Sequence, residues 1–570
     1  MRGGRSLALI ALLAGASSLT LAACGGSSRT SGKSSSASAT GSQSSAPSAS
    51  TTIGAAVTLL YGTAPQSLDP GSDESTQGAE INWLVDTGLI TYAHAAGVAG
   101  TRLIPGLATT LPVVSDGGKT YTVTLRRGLV FSNGQPVTAG DFAYTVERAL
   151  KIPWPGAREF IASRIQGASA FANGEAGSIS GLTADDATGK IVIRLTAPYA
   201  AFDYVLALPA LGIIPAGTPL KAQPSDPPPG VGPYKLTNIV PNVSFTAVPN
   251  PYWAQMAIPG IPAGHVSVEA RIDPDGHDDA VAVLDNSADL FDWADAIPRS
   301  LLARVRSQAS GRFRFADLGR TTAYIFLSTY SKPFDSQLAR EAVVTALNHD
   351  VIARLGSGAL IPACSFLPPA ITGHATNAAC PHGVPYAGSL ARAIALVRRS
   401  GLQGYPVTVS SEAGTPVRQW MTYYTRLLSS IGFRAVLKVI PDVTYAATIG
   451  NPALRPPTGY AQRTMDFPDP TGFYVAPDGG SIAKAGRVNL GEVNDPYLNA
   501  ALAKLGSTSA VDLPSIASQS RSIDRYIANM AYVAVLGYRT VPEFTSDRID
   551  YAAIVMQPEY GWDWTSFALR

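Results

Sequence analysis

The sequence predicts an α/β fold with a parallel or mixed sheet, divided into more than one domain. Residues 407–411 alternate like a strand, 415–431 carry an apolar stripe at helical spacing, and 435–440 alternate again. Gly432 supplies the stop that ends many helices. Strand, helix and strand in this order make a βαβ unit with parallel strands. Because 570 residues exceed what one hydrophobic core covers, we expect two or three domains.

The first half of the chain also mixes strands with helices. Residues 119–126 alternate threonine with large apolar side chains, which is typical of a half-buried strand. Thr138, followed three positions later by Asp141, makes a capping-box pattern and predicts that a helix begins there. Residues 190–195 alternate again and predict a further strand.

Two more helices are predicted from acidic residues at their starts. Asp335 is expected to cap a helix that ends near Gly356, and Asp278 or Asp279 is expected to begin another. The acidic cluster at the second position also suggests a calcium site. An EF-hand loop needs glycine at its sixth position, whereas counting from Asp273 the glycine comes fourth. We therefore prefer the helix start.

Charge and motifs exclude several classes of protein. Lys and Arg number 43, Asp and Glu number 41, and the formal net charge is +2, which argues against a nucleic-acid binder. The sequence contains no His-Glu-x-x-His, Gly-x-Ser-x-Gly or P-loop pattern, and its six histidines are scattered. We expect neither an enzyme nor a bound metal or cofactor.

The N-terminus predicts export and lipid anchoring. Arg2 and Arg5 precede a short apolar run, and the letters LAAC end at Cys24. This resembles a bacterial lipobox, which implies a signal peptide at 1–23 and a lipid on the Cys24 thiol; the alternative is a chance cysteine. Residues 24–52 are rich in Ser, Ala and Gly and predict a disordered tether. No later apolar run is long enough to span a membrane.

Seven stretches match, in order, segments typical of one protein family. They are 62–70 (GTAPQSLDP), 84–92 (LVDTGLITY), 121–150, 230–236 (GVGPYKL), 250–253 (NPYW), 333–342 and 466–470 (DFPDP). The chain therefore resembles the bacterial extracellular solute-binding proteins of family 5, the peptide- and nickel-binding receptors of ABC importers.

The resemblance implies a two-lobed binding protein with a hinge between the lobes. The first lobe is expected to comprise 53–319 and 540–570, with an inserted subdomain at about 76–195. The second lobe is expected to comprise 320–539. The chain would cross between the lobes near Gly319 and again near Arg539 to Val541, and the ligand would be enclosed between the lobes.

The resemblance also implies ligand-binding residues. Asp466 aligns with the aspartate that holds a peptide's α-ammonium in peptide-binding members, where a fixed carboxylate offsets the cost of desolvating that cation. The alternative is a turn or cap aspartate in a proline-rich segment. Arg463 stands where the family often has tryptophan, and it is expected near the pocket together with Phe467. Trp293 is a further candidate for the cleft wall.

Cys364 and Cys380 are the cysteines that remain once Cys24 carries lipid. Because export leads to an oxidising compartment, we expect a disulfide between them. The alternative is a pair of buried free thiols.

These expectations define a monomeric, lipid-anchored receptor on the extracytoplasmic side of the cell membrane. It would bind peptides and deliver them to ABC permease subunits. Alternatives of the same fold are a receptor for a nickel chelate or a saccharide. An envelope lipoprotein that acts as a chaperone, sensor or adhesin is an alternative of another class, and a secreted peptidase is more distant.

Overall fold

The computed structural model describes residues 56–73, 75–152, 156–376, 379–482 and 488–570 of the chain. The predicted signal peptide 1–23, Cys24 and the tether 24–52 lie outside the described residues. Within the five described stretches, none of the helices combines the length and the apolar character needed to cross a membrane.

A five-stranded mixed sheet forms around the first described strand. In order across the sheet, its strands are Leu290–Phe291, Ala56–Tyr61, Ser267–Ile272, Ser244–Pro249 and Tyr234–Val240. The second strand in this order is parallel to both of its neighbours, and the remaining pairs are antiparallel. Both faces of that central strand are covered, which explains why its sequence is almost continuously apolar.

A six-stranded mixed sheet forms in the second half of the chain. In order, its strands are Leu360–Pro362, Val533–Arg539, Thr321–Leu327, Thr458–Thr464, Pro406–Glu412 and Arg434–Ile440. The last two strands are parallel and are joined by the helix Val417–Ile431. Gly432 follows that helix with a φ of 117°. The predicted βαβ unit is therefore confirmed.

A four-stranded antiparallel sheet lies between these two in the sequence. Its strands are Val113–Ser115, Thr120–Thr124, Lys190–Arg194 and Leu182–Asp185. The helix Ala139–Lys151 packs beside it and begins with the predicted capping box. The Asp141 amide donates to the Thr138 hydroxyl, and the Thr138 amide donates at 2.7 Å to the Asp141 carboxylate. Both predicted strands and the predicted helix start are confirmed.

The α-helices cover the faces and ends of these sheets. They are Thr76–Val85, Ala139–Lys151, Gly156–Ile161, Ala168–Ala172, Phe202–Leu206, Trp253–Met256, Gly276–Leu284, Arg299–Gln308, Gln337–Ala346, His349–Gly356, Leu390–Ser400, Val417–Ile431, Asp442–Ile449, Pro470–Phe473, Pro496–Gly506 and Leu513–Asn529.

The predicted helix from Asp335 to Gly356 is wrong in two respects. It begins at Gln337 after Ser336, so Asp335 stands one residue outside the cap position. It also ends at Ala346, because Asn348 accepts a hydrogen bond from the Val351 amide and starts a second helix. A short polar side chain thus divides an apolar pattern that looks continuous in the sequence.

The helix predicted to start at Asp278 or Asp279 is Gly276–Leu284, and its N-cap is Asp275. Its carboxylate accepts from the amides of His277 and Asp278 at 3.0 and 3.3 Å. Asp278 and Asp279 stand in the first helical turn, where a negative charge is stabilised by the helix dipole.

A two-stranded antiparallel ribbon joins the five- and six-stranded sheets. It pairs Phe313–Ala316 with Val541–Phe544. The first of these strands leads into Thr321–Leu327 of the six-stranded sheet, and the second follows Val533–Arg539 of the same sheet after Thr540. The chain therefore passes between the two sheets twice, at residues 317–320 and at Thr540. The lobe boundaries given above remain our proposal.

The buried apolar side chains form three clusters around the sheets. One cluster combines the five- and four-stranded sheets with the C-terminal rings of Trp562, Trp564 and Phe567. A second cluster surrounds the six-stranded sheet and includes Trp420, which is fully buried as part of that core. A smaller cluster packs Phe544 of the ribbon against the helices Gly276–Leu284 and Arg299–Gln308. Two minor antiparallel pairs, Ile90–Tyr92 with Leu103–Pro105 and Met556–Gln557 with Gly561–Trp562, complete the described strands.

Candidate functional site

A cleft of about 280 Å³ opens between the two large sheets. One wall is formed by residues 293–297 and the start of the helix Arg299–Gln308. The opposite wall is formed by residues of the six-stranded sheet and its helices, among them Gln462 and Thr464. Residues 539–542, where the chain passes between the sheets, also line it. A cavity with walls from both sheets and a joining ribbon at its side suits a ligand enclosed by hinge closure.

Trp293, which the sequence analysis named as a candidate for the cleft wall, is among the residues that line the cleft. The residue lines the cleft although only 3% of it is exposed. The indole N–H donates to Glu80, a buried carboxyl that also accepts from the Tyr61 hydroxyl and the Trp564 indole at 2.9 and 2.8 Å. Three donors on one carboxyl hold the Trp293 ring in a single orientation.

Glu80 is an unusual partner because no cation accompanies it among the contacts described. The pKa of Glu80 is raised to about 8, mainly by burial; the charge of Asp292 acts in the same direction, and the three donors oppose the shift. Asp292 accepts from the Gln77 amide at 2.9 Å, and burial raises the pKa of Asp292 to about 7. The cleft wall is therefore backed by acidic groups in the interior.

Asp466 and Arg463 form an ion pair with each other. The guanidinium Nη2 lies 2.5 Å from the Asp466 carboxylate and also donates at 2.6 Å to the Gly472 carbonyl. The Asp466 side chain is 40% exposed and that of Arg463 is 16% exposed. Gln462 and Thr464, the chain neighbours of Arg463, line the cleft. Neither Arg463 nor Asp466 is among the described residues that line it. The carboxylate proposed for a ligand ammonium thus has an internal partner in this structure.

Phe467 lies away from the cleft, in an aromatic contact between the two halves of the molecule. Its ring packs parallel to Tyr204 and edge-on to Phe160, and 1% of the residue is exposed. Asp469, two residues later, is also buried and caps the helix Pro470–Phe473. Burial raises the pKa of Asp469 to about 6. The 466–470 segment therefore joins the second half of the chain to the first core.

Several charged residues at the cleft were not predicted from the sequence as site residues. Arg320 lines the cleft beside the Trp293 ring, and its guanidinium donates to the Glu559 carbonyl. Glu559 is buried, and this burial raises its pKa to about 7 while Arg320 opposes the shift. Arg539 stands in the segment where a lobe crossing was expected, and that position was the one hint available from sequence.

The disulfide predicted between Cys364 and Cys380 is present. His349 lies beside it, with Nε2 3.8 Å from the Cys364 sulfur, so one imidazole and two sulfurs meet in a small space. Because both sulfurs are bonded to each other, neither is a thiolate that would bind a metal. We assign this cluster to stability.

The fold and the cleft together define a solute-binding protein with two lobes. Residues 102–482 match the family described as bacterial extracellular solute-binding proteins, family 5 Middle. The chain belongs to this family.

The sequence identity to individual relatives is low. The chain is 26% identical over 352 residues to the probable deoxycholate-binding periplasmic protein YgiS of Escherichia coli, covering 59% of this chain and 61% of the relative. It is 27% identical over 347 residues to the glutathione-binding protein GsiB of Salmonella choleraesuis, with the same coverage. These alignments span about three-fifths of the relatives' length.

The fold is similar to that of a solved structure, the clavulanic acid biosynthesis oligopeptide binding protein 2. The TM-score is 0.80 at 22% identity, over 90% of this chain and 95% of that one. The expected two-lobed α/β fold is confirmed.

Proposed function

We propose that the protein is an extracytoplasmic receptor of an ABC importer and that it binds peptides between its lobes. The observation that carries the proposal is the cleft between the two large sheets in a member of a solute-binding family. The oligopeptide-binding protein whose fold it resembles supports peptides as the cargo. On this proposal the protein is not an enzyme, and it delivers the bound peptide to permease subunits.

Asp466 is the proposed partner of the peptide's α-ammonium. A cation that leaves water needs a charge-assisted hydrogen bond to offset the desolvation. Because the Asp466 side chain is partly exposed, a ligand ammonium can approach it while Arg463 keeps its bond to the Gly472 carbonyl. The carboxylate would then share its two oxygens between the guanidinium and the ligand.

The test is calorimetry with a free tripeptide and its N-acetylated form on wild type and Asp466→Asn. Asparagine keeps the shape and removes the charge, so the free peptide should bind more weakly by about 2–5 kcal/mol. The acetylated peptide should bind weakly to both proteins. Asp226→Asn, at an exposed position outside the cleft, is the matched control and should bind like wild type.

Equal binding of free and acetylated peptide to wild type would remove the role proposed for Asp466. The same panel should include nickel–histidine, an oligosaccharide, glutathione and deoxycholate. If one of these binds and no peptide does, the proposed cargo is wrong while the receptor function stands.

We also propose that the Cys24 thiol carries the lipid that holds the receptor at the membrane. The support is the LAAC sequence followed by a tether rich in small residues. Two or three acyl chains on one cysteine give stable anchoring where a single chain does not. Cys24→Ala should appear in the soluble fraction or as unprocessed precursor, whereas Ser28→Ala should stay with the membrane. Membrane retention of processed Cys24→Ala protein would overturn the anchor.

A further inference from the structure

Basic residues are concentrated in one segment of the chain. Residues 390–440 contain seven basic side chains and one acidic side chain, whereas the predicted mature chain from Cys24 onward has equal numbers of the two kinds. All seven basic residues are exposed, and none of them forms an ion pair among the residues that the structure describes. The segment therefore presents positive charge to solvent without a neutralising partner.

Part of this charge lies on the outer strand of the six-stranded sheet. The strand Arg434–Ile440 forms one edge of that sheet. Because successive side chains of a strand point to opposite faces, Arg434, Val436 and Lys438 share one face. All three are exposed, and the exposed fraction of Val436 is 60%. On the opposite face, two of the intervening side chains pack against the core around the sheet.

Two further cations adjoin the start of this strand. Arg398 and Arg399 stand in the last turn of the helix Leu390–Ser400. In the same turn, a side-chain carbon of Val397 lies 3.5 Å from the position that a Cβ would take on Gly432, two residues before the strand. The end of the helix and the beginning of the edge strand are therefore neighbours, and their positive charges lie close together.

The acidic residues nearest in the sequence have other partners. Glu412 is half-buried, and the charge with the opposite sign that acts on it is that of Arg539. The Asp442 carboxylate accepts from the amides of Ala413 and Gly414 at 2.8 and 3.1 Å. Within the described part of the chain, neither carboxylate forms an ion pair with the basic residues of the segment.

Exposed apolar side chains accompany the cations. Charge of either sign on an edge strand would prevent pairing with a strand of another chain, but the strand Arg434–Ile440 contains two cations and no acidic residue. Val443, in the first turn of the helix Asp442–Ile449 that follows the strand, is 94% exposed. The exposed cations and valines brought together here form what we call the edge face: Arg398, Arg399, Arg434, Val436, Lys438 and Val443.

We propose that the edge face binds the surface of an anionic phospholipid bilayer. The inference goes beyond the receptor function and does not depend on the cargo. An anionic bilayer attracts Lys and Arg side chains near its surface, and each one strengthens binding about five-fold. Apolar side chains beside cations suit the boundary between the lipid headgroups and the acyl chains, where exposed valines leave water.

The lipid proposed on Cys24 would make even weak binding of the edge face effective. The predicted tether of residues 24–52 is rich in small residues, and a random coil of this length spans roughly 30 Å. A surface held by such a tether acts at an effective concentration in the millimolar range. The edge face would then be a second attachment, which gives the receptor a defined orientation on the membrane.

The test uses the mature chain from residue 24 with Cys24→Ser, so that no acyl chain contributes to binding. This parent protein is sedimented with vesicles of phosphatidylcholine alone and with vesicles in which one-third of the lipid is phosphatidylglycerol. We expect it to bind the anionic vesicles and not the neutral ones. High salt should weaken this binding because it screens charges at an exposed surface.

Arg434→Gln/Lys438→Gln removes two cations from the edge face. It should weaken binding to the anionic vesicles roughly 30-fold, at about five-fold for each cation. Val443→Ser should weaken the same binding by a smaller factor. The matched control is Lys190→Gln/Arg194→Gln, which removes two exposed cations with the same spacing from a strand of the four-stranded sheet and should bind like the parent. Circular dichroism spectra and melting temperatures check that each variant is folded.

The outcomes distinguish the edge face from net charge and from another kind of partner. Absence of binding to the anionic vesicles, or equal weakening by the two double variants, overturns the proposal. Inorganic polyphosphate is the probe for a soluble polyanion. If the parent binds it more tightly per phosphate than it binds the anionic vesicles, and Val443→Ser weakens neither, the membrane proposal is also overturned. Because no cargo is present in these measurements, failure of the edge face leaves the proposed receptor function standing.

Discussion

The rings of Phe467 and Tyr204 lie parallel, with their planes 6° apart and their centroids separated by 6.1 Å. Phe467 lies three residues after the strand Thr458–Thr464 of the six-stranded sheet. Tyr204 belongs to the helix Phe202–Leu206, which packs with the first core. The contact therefore joins residues that belong to the two different lobes in the proposed division of the chain. We predict that it contributes to lobe closure as well as to stability.

Phe467→Ala should loosen the association of the two halves. Truncating a buried phenylalanine costs about 3–5 kcal/mol when the surroundings stay in place. If the halves separate instead, the loss of stability should be smaller and the radius of gyration in small-angle scattering should increase. Phe473→Ala, in the core around the six-stranded sheet, is the control and should lower the melting temperature without expanding the molecule. Equal radii for both variants would contradict the role in closure.

The disulfide should be complete and stabilising. It closes a loop between residues 16 positions apart, and the loss of loop entropy in the unfolded chain predicts about 3 kcal/mol. The free energy of unfolding in urea should therefore be lower by this amount in the Cys364→Ser/Cys380→Ser double variant. Unfolded, non-reduced wild type should show no free thiol at either position. Thiol labelling of both cysteines before reduction would refute the bond.

Glu80 should make stability depend on pH. Its folded pKa of about 8 lies above the ordinary value of 4.5, so the folded state binds the proton more tightly than the unfolded state does. The stability from this group is fully present below about pH 4.5 and is lost as pH rises through about 8. The loss is about 1.4 kcal/mol for each unit by which the two pKa values differ.

Glu80→Gln removes this titration. The free energy of unfolding in urea, measured from pH 4.5 to 8.5, should fall for wild type and change less for the variant. The amide meets the Trp293 indole with a donor, so the variant should also be less stable at low pH. Glu175→Gln, at an exposed position, should keep the wild-type slope. Parallel curves for wild type and Glu80→Gln would show that Glu80 does not titrate in this range.

The buried pair of Asp69 and Arg148 should be costly to break. The two side chains are 0% and 1% exposed, and two hydrogen bonds of 2.8 and 2.6 Å join them. Asp69→Ala leaves a buried guanidinium without its main partner, which should cost about 3–5 kcal/mol in urea unfolding. Asp285→Ala, which breaks an exposed ion pair with Arg304, should cost about 1 kcal/mol or less. Similar losses for the two variants would contradict the importance of burial.

Local patterns in the sequence determined the elements whose signals lie within a few residues. Thr138 and Asp141 predicted a helix start, and Gly432 predicted a helix end, because caps are formed by neighbouring backbone and side-chain groups. The βαβ unit followed from periodicity, which depends on the geometry of each element alone. Two local signals conflict at Asn348: the apolar stripe continues through this position, whereas the Asn348 side chain caps a new helix. The sequence analysis followed the stripe and therefore joined two helices into one.

The tertiary structure decided which distant residues share the site. Arg299, Arg320 and Arg539 lie far apart in sequence, and each is compatible with an ordinary solvated surface until the chain folds them around one cavity. The motif predicted that Asp466 binds a ligand's ammonium or forms a turn or cap, and the tertiary structure pairs its carboxylate with Arg463. Contacts of this kind depend on how the two sheets are placed by the ribbon between them. No short stretch of sequence encodes that placement, because it results from burying both cores at once.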